Sequence, residues 1–230
     1  DTALVARHDT ADLAALAVGM AVYITVFVGL MGVVLAISPI AGQAYGARRL
    51  ADAGDAVHTA VWLALGCAVL GSLVLNFPQP FLALSKATPE VAAKVTSYLR
   101  ALSFALPAAL LFTVYRGFNT AVSRPLVVMA LQLGALALKI PLSVLLVFGA
   151  ELQTPLGPLV LASQGAGGCG IATAVVMNLQ MLLAWLLLRR DPFYLPFGLR
   201  GSFSAPHRAS LVGLLRLGIP MGLSIAIEVT

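Results

Sequence analysis

The sequence predicts an all-α polytopic membrane protein, and three observations carry that prediction. Sixty per cent of the 230 residues are hydrophobic and only 10% are charged, with a mean hydropathy of +0.98. A soluble domain carries roughly 25% charged residues, so this chain lacks the charge to cover a water-facing surface. Stretches with no Asp, Glu, Lys or Arg run over residues 13–47, 59–85 and 152–188. Each exceeds the roughly 20 residues that cross about 30 Å of hydrocarbon. Finally, the basic residues stand singly or in pairs between apolar runs, as the loop charges that orient a membrane protein do.

In chain order, residues 1–6 read as the tail of a helix, and residues 7–12 as a polar connection in which Asp12 can cap the next helix. The first full span is expected over residues 13–40, the second over 57–77 with Pro78 and Pro80 closing it. Thr88 before Pro89 reads as a helix start, and the third span follows over residues 96–120. A fourth span opens on Pro125 and runs to residue 148. Residues 149–168 read as a loop rich in Gly and Pro, with a single charge, Glu151. The fifth span covers residues 169–188, residues 189–208 form a basic loop, and a last span begins near residue 210 and is unfinished at Thr230. Both ends of the chain read as cut.

The net charge of +5 does not indicate nucleic acid, because no basic patch forms. Cys67 and Cys169 lie inside apolar runs without CxxC spacing, which argues against zinc or a disulfide framework. No HExxH, GxSxG or phosphate-cradling loop is present, so an enzyme has little support. Gly165-Ala166-Gly167-Gly168 suits helix packing and a turn. One set of loops holds Arg48, Arg49, Arg124, Arg189, Arg190, Arg200 and Arg208, the other Arg7, Lys86 and Lys94. The basic excess places the first set in the cytoplasm.

Ionisable groups near the bilayer centre cost about 2.5–3.5 kcal/mol and mark functional sites. Three are candidates: Asp1, Lys139 and Glu228. Asp1 suits either an interfacial acid or a cavity residue. Lys139, midway along the fourth span, either snorkels or faces the bundle interior. Glu228 reads either as an outer-end acid or as an interior site. Ser143 shares a helical face with Lys139 at i+4. Thr173, Asn178 and Gln180 add polar atoms to the fifth span, as interhelical glue or as ligands. Pro107, Pro141 and Pro220 lie within spans and are expected to bend them.

Asp1-Thr2 with Leu13-Ala14-Ala15-Leu16-Ala17, then Pro39-Ile40-Ala41-Gly42-Gln43-Ala44-Tyr45-Gly46-Ala47, open an ordered string of motifs that resembles the multidrug and toxic compound extrusion (MATE) family, NorM-like branch. Arg116-Gly117-Phe118 with Ser123-Arg124-Pro125 is similar to the family's helix four to five turn. Gly168-Cys169-Gly170-Ile171-Ala172-Thr173-Ala174 resembles the opening of its helix six. Arg216-Leu217-Gly218-Ile219-Pro220 with Glu228-Val229-Thr230 resembles its helix seven.

The resemblance implies two six-helix lobes, of which residues 1–208 would be the N-terminal one and residues 209–230 the start of helix seven. It implies a monomeric, multi-pass protein of the bacterial inner membrane that exports small organic cations against sodium or protons, with no other cofactor. Carried over, Asp1 matches the helix-one acid of the N-lobe cavity, Thr173 a polar position near it, and Glu228 the helix-seven acid, a possible sodium ligand. Pro39, Gly42, Gln43 and Gly46 match the helix-two signature. Lys139 and Ser143 depart from the asparagine pair found there in many relatives. A lysine near Asp1 would hold that acid ionised and repel sodium, shifting ion coupling to Glu228. The alternatives are a lipid-linked oligosaccharide flippase of the same superfamily and a membrane scaffold that does not transport.

Overall fold

The computed structural model describes residues 2–5, 10–85, 88–154, 157–161, 163, 165–199 and 208–229. It is a helical bundle with a small β-hairpin. In chain order, α1 (Thr2–Val5) precedes α2 (Thr10–Val34), α3 (Ile37–Gly46), α4 (Leu50–Asn76), α5 (Gln79–Ser85), α6 (Pro89–Ala121) and α7 (Pro125–Phe148). The hairpin strands β1 (Ala150–Thr154) and β2 (Gly157–Leu161) follow, then α8 (Gly165–Arg190), a 3-10 turn (Pro192–Phe197) and α9 (Arg208–Val229). Five helical stretches among the described residues are long and apolar enough to cross a membrane.

The first span is one apolar stretch, Ala11–Gly46, at roughly 54 Å much longer than the hydrocarbon is thick. It breaks into α2 and α3 at Leu35 and Ala36. Pro39 explains the break: it has no N–H to bond the carbonyl of Leu35, and its ring crowds that carbonyl. The second and fifth spans start a turn or more before the sequence suggests, at Leu50 and Gly165, and the third runs unbroken from the helix start read at Thr88–Pro89. Asp52 and Asp55 hid the α4 start from a hydropathy reading, and the glycines at 165, 167 and 168 hid that of α8. Thr88 does cap α6, its Oγ1 accepting from the Val91 N–H at 3.5 Å with Pro89 in the first turn. Asp12, in contrast, does not cap α2. The helix already begins at Thr10, and the Asp12 carboxylate points sideways to Lys94 Nζ at 3.1 Å. Lys94 lies inside α6, not in a loop.

Two further expectations change. Pro80 does not merely terminate a helix, because it sits in the short α5, where a proline in the first turn loses no hydrogen bond. The expected loop at residues 149–168 contains an antiparallel ribbon, with Ala150 opposite Leu161 and Thr154 opposite Gly157. Pairing satisfies backbone groups that a bare loop would have to leave to water. Pro107, Pro141 and Pro220 are all contained within continuous helices.

α6 is the centre of the bundle, packing against α2, α3, α4, α7 and α8. Its buried face carries Leu99, Leu102, Leu106 and Leu110 at helical spacing. The glycines opening α8 serve packing, as expected. A Cβ on Gly168 would stand 2.5 Å from the Leu146 carbonyl oxygen of α7, and one on Gly170 about 3.1 Å from the Tyr98 ring of α6. α9 docks on α2 just as closely, since a Cβ on Gly32 would lie 2.4 Å from Gly222 Cα. Small residues let helix backbones approach where lipid provides no hydrophobic drive.

Candidate functional site

α2, α6, α7 and α8 enclose a cavity of about 330 Å³. Its walls are mainly apolar, with Phe27 from α2 and Phe112 from α6, and it carries five polar side chains: Thr113 and Arg116 from α6, Gln132 and Lys139 from α7, and Gln180 from α8. Apolar walls with a few placed polar groups are the usual make-up of a small-molecule site. Gln180 and Thr113 are buried. Thr113 Oγ1 donates to the Ala109 carbonyl oxygen at 2.9 Å, and Arg116 reaches the Met31 sulfur of α2 at 3.4 Å.

Lys139 therefore faces the bundle interior rather than only lipid. Ser143 is buried one turn further along α7 but does not line the cavity. Thr173 is buried, and its hydroxyl donates to the Cys169 carbonyl oxygen at 2.9 Å, a back-bond within its own helix. Asp1 lies outside the described residues. Glu228 lies on α9 near its end, and its side chain is outside the described set. Whether Asp1 meets Lys139, and whether Glu228 faces a sodium ion, therefore fall beyond the described side chains. Among the described residues no three His, Cys, Asp or Glu side chains gather as metal ligands would.

Pro39, Gly42, Gln43 and Gly46 all lie on α3. Ile37, Ala41 and Ala44 form its buried face, so the four signature residues stand on the more accessible side. α3 then ends in a turn in which Ala47 donates to the Gln43 carbonyl and Arg48, at φ +59°, donates to that of Tyr45. The Tyr45 ring stacks on Phe197, 6.2 Å between centroids.

Sequence reasoning missed two groupings. Arg116 sits inside α6, within the expected third span, and shares with Lys139 a cavity that the motif reading did not foresee. The available signal was its spacing of three from Thr113, just after the apolar run of residues 104–112. The second grouping is a lock at the end of the bundle that carries α3. Arg124 Nη1 donates to Asp191 Oδ2 at 2.6 Å, and Asp191 Oδ1 accepts from the Phe193 N–H. The Arg124 guanidinium lies 4.4 Å from the Phe193 ring centre, and the Asp191 carboxylate raises its pKa above the ordinary value. Tyr194 donates to Asn119 Oδ1 at 2.6 Å, and Asn119 Nδ2 donates to the Tyr115 carbonyl at 2.9 Å. No local pattern announces a pairing across 67 or 75 residues.

Comparison with known proteins gives a consistent result. The family profile MatE matches residues 1–145. The chain is 40% identical over 230 residues to a probable multidrug resistance protein NorM of Aromatoleum aromaticum, covering all of this chain and 48% of that protein. It is 31% identical to the multidrug resistance protein PmpM of Pseudomonas aeruginosa, covering 99% of the chain and 46% of the relative. The chain thus spans about half the length of the curated relatives it matches. Among solved structures, the eukaryotic MATE transporter AtDTX14 superposes with a TM-score of 0.83 at 21% identity, over 99% of this chain and 48% of that one. An outward-facing multidrug resistance MATE family transporter gives 0.81 at 23% identity, over 97% and 47%. At these identities the superpositions speak for the fold.

Proposed function

The chain belongs to the MATE family, and on that premise we propose that it forms the N-terminal lobe of a secondary active antiporter. That antiporter would export organic cations from bacteria across the inner membrane in exchange for sodium or protons. The observation that carries the reading is the apolar-walled cavity between α2, α6, α7 and α8, with Lys139, Arg116 and Gln180 on its surface. It combines the size and lining of a small-molecule site with ionisable groups inside a membrane bundle.

Two cations in the wall do not attract a cationic substrate. The attraction would come from carboxylates, Asp1 in this lobe and Glu228 on α9. Substrate and coupling ion would compete for them, so ion binding from outside would favour substrate release. Access would alternate by rocking of one lobe against the other.

The test is ethidium efflux from efflux-deficient bacteria expressing the full-length gene, with sodium and pH gradients imposed separately. Efflux that follows one gradient and is lost in Glu228→Gln at normal membrane expression supports the antiporter. Retained gradient coupling in that variant rules out the role given to Glu228.

Arg116 in the same cavity as Lys139 favours one second reading. A flippase for a lipid-linked oligosaccharide needs basic residues to hold a pyrophosphate, and the cavity contains two. Absence of ethidium efflux from well-inserted protein, with both cations needed for movement of a pyrophosphate-linked lipid, would favour it.

A further inference from the structure

A second cavity, of about 240 Å³, opens between α4 and α8 at the end of the bundle that carries the Arg124–Asp191 lock. Its polarity is graded along the helix axes. Met181, Trp185 and Arg189 follow at intervals of four on α8, so they stack along one face. Opposite them, His58, Val61 and Leu65 follow at intervals of three and four on the antiparallel α4. The deep part is therefore wholly apolar, with Leu65 and Met181 joined by Leu111 of α6. An aromatic and an imidazole come next, and a guanidinium stands at the mouth. The Arg189 guanidinium lies 4.3 Å from the Trp185 ring centre, an arrangement that holds the charge in place by cation–π attraction. Arg190 adds a second charge in the same turn.

The outward faces of the two helices are those of a lipid-exposed surface. Trp62, Val69 and Leu73 of α4 and Leu182 of α8 are exposed. Tryptophan is enriched at the membrane–water interface, and Trp185 stands one turn before Arg189, near this end of α8. Tail, interface and phosphate are arranged in that order along a phospholipid, and basic pockets between helices on the cytoplasmic side bind anionic headgroups.

We propose that this crevice is a binding site for one anionic phospholipid of the cytoplasmic leaflet, with the phosphate at Arg189 and an acyl chain along Val61, Leu65 and Met181. The site is separate from the cavity around Lys139 and does not depend on which compounds are exported. Arg189 suits the role because a guanidinium presents a fork of donors to phosphate oxygens while its face rests on an aromatic ring.

The experiment uses the full-length protein in detergent. Native mass spectrometry would compare retention of phosphatidylglycerol and phosphatidylcholine with the same acyl chains, and glycerol phosphate would be added as a headgroup without tails. The expected wild-type preference for phosphatidylglycerol is about fivefold, the worth of one basic residue near an anionic headgroup. Arg189→Gln should bring the preference close to one. Val61→Phe, which fills the crevice and leaves every charge in place, should lower phosphatidylglycerol retention. Arg49→Gln removes the same charge at the same end, outside the crevice, and should leave the preference unchanged. Equal retention of both lipids by the wild type would overturn the proposal. So would an equal loss in Arg49→Gln, unaltered retention in Val61→Phe, or displacement of the lipid by millimolar glycerol phosphate.

Discussion

Tyr194 and Asn119 are fully buried, and the hydroxyl of the first donates to the amide oxygen of the second at 2.6 Å. Removing the donor leaves a buried acceptor without its hydrogen, which costs about 1–3 kcal/mol. Tyr194→Phe should therefore lower the stability of the full-length protein by that amount in a denaturant or thermal melt. Burial also pushes the Tyr194 hydroxyl pKa above its ordinary value of 10. The unfolded chain then releases this proton near pH 10 while the folded protein keeps it, so the hydroxyl's contribution to stability falls as pH rises past 10. The loss of stability above pH 10 should be shallower in Tyr194→Phe, measured as the difference between the two melting-temperature profiles.

Helices meet at close range where glycine permits it, and the clearest case is the crossing of α2 and α9. A Cβ at position 222 would stand 2.8 Å from the Gly29 carbonyl oxygen and 3.0 Å from a Val33 methyl. Gly222→Leu should push the helices apart and cost about 1–3 kcal/mol, the range for overpacking. Gly213 lies on the same helix with nothing within 4 Å of an added Cβ, so Gly213→Leu should leave the melting temperature near that of the wild type. Equal losses in the two variants would show that helix propensity, not the crossing, sets the effect. The element boundaries themselves were partly legible. The Thr88–Pro89 start of α6 follows from capping chemistry, whereas the break after Val34 depends on how Pro39 acts four residues upstream.

On the scale of the whole molecule, the placement of Lys139 brings a basic side chain to the cavity wall. With Arg116 it makes two cations in one cavity, and a carboxylate that approached them would stay ionised. Lys139→Asn should therefore change the lobe's selectivity between sodium and protons, or its transport rate, in the efflux assay with separate gradients. Unchanged ion selectivity together with unchanged transport would sink the idea that Lys139 keeps sodium from the N-lobe acid.

The membrane-spanning helical class, the approximate spans and the place of Lys139 within the fourth span were decided by the sequence alone. Hydrophobic run length and the cost of burying a charge are local properties, visible in a window of twenty residues. The hairpin at residues 150–161, the placement of Arg116 in one cavity with Lys139 and the lock of Arg124, Asp191, Asn119 and Tyr194 were decided only in the tertiary structure. The hairpin pairs backbone groups whose side chains carry no strong pattern. Arg116 and Lys139 share a cavity because α6 and α7 both wall it. The Arg124–Asp191 and Tyr194–Asn119 pairs of the lock join residues 67 and 75 positions apart, and what brings them together is the packing of the 3-10 turn against α4, where a Cβ on Gly54 would collide with the Phe197 carbonyl.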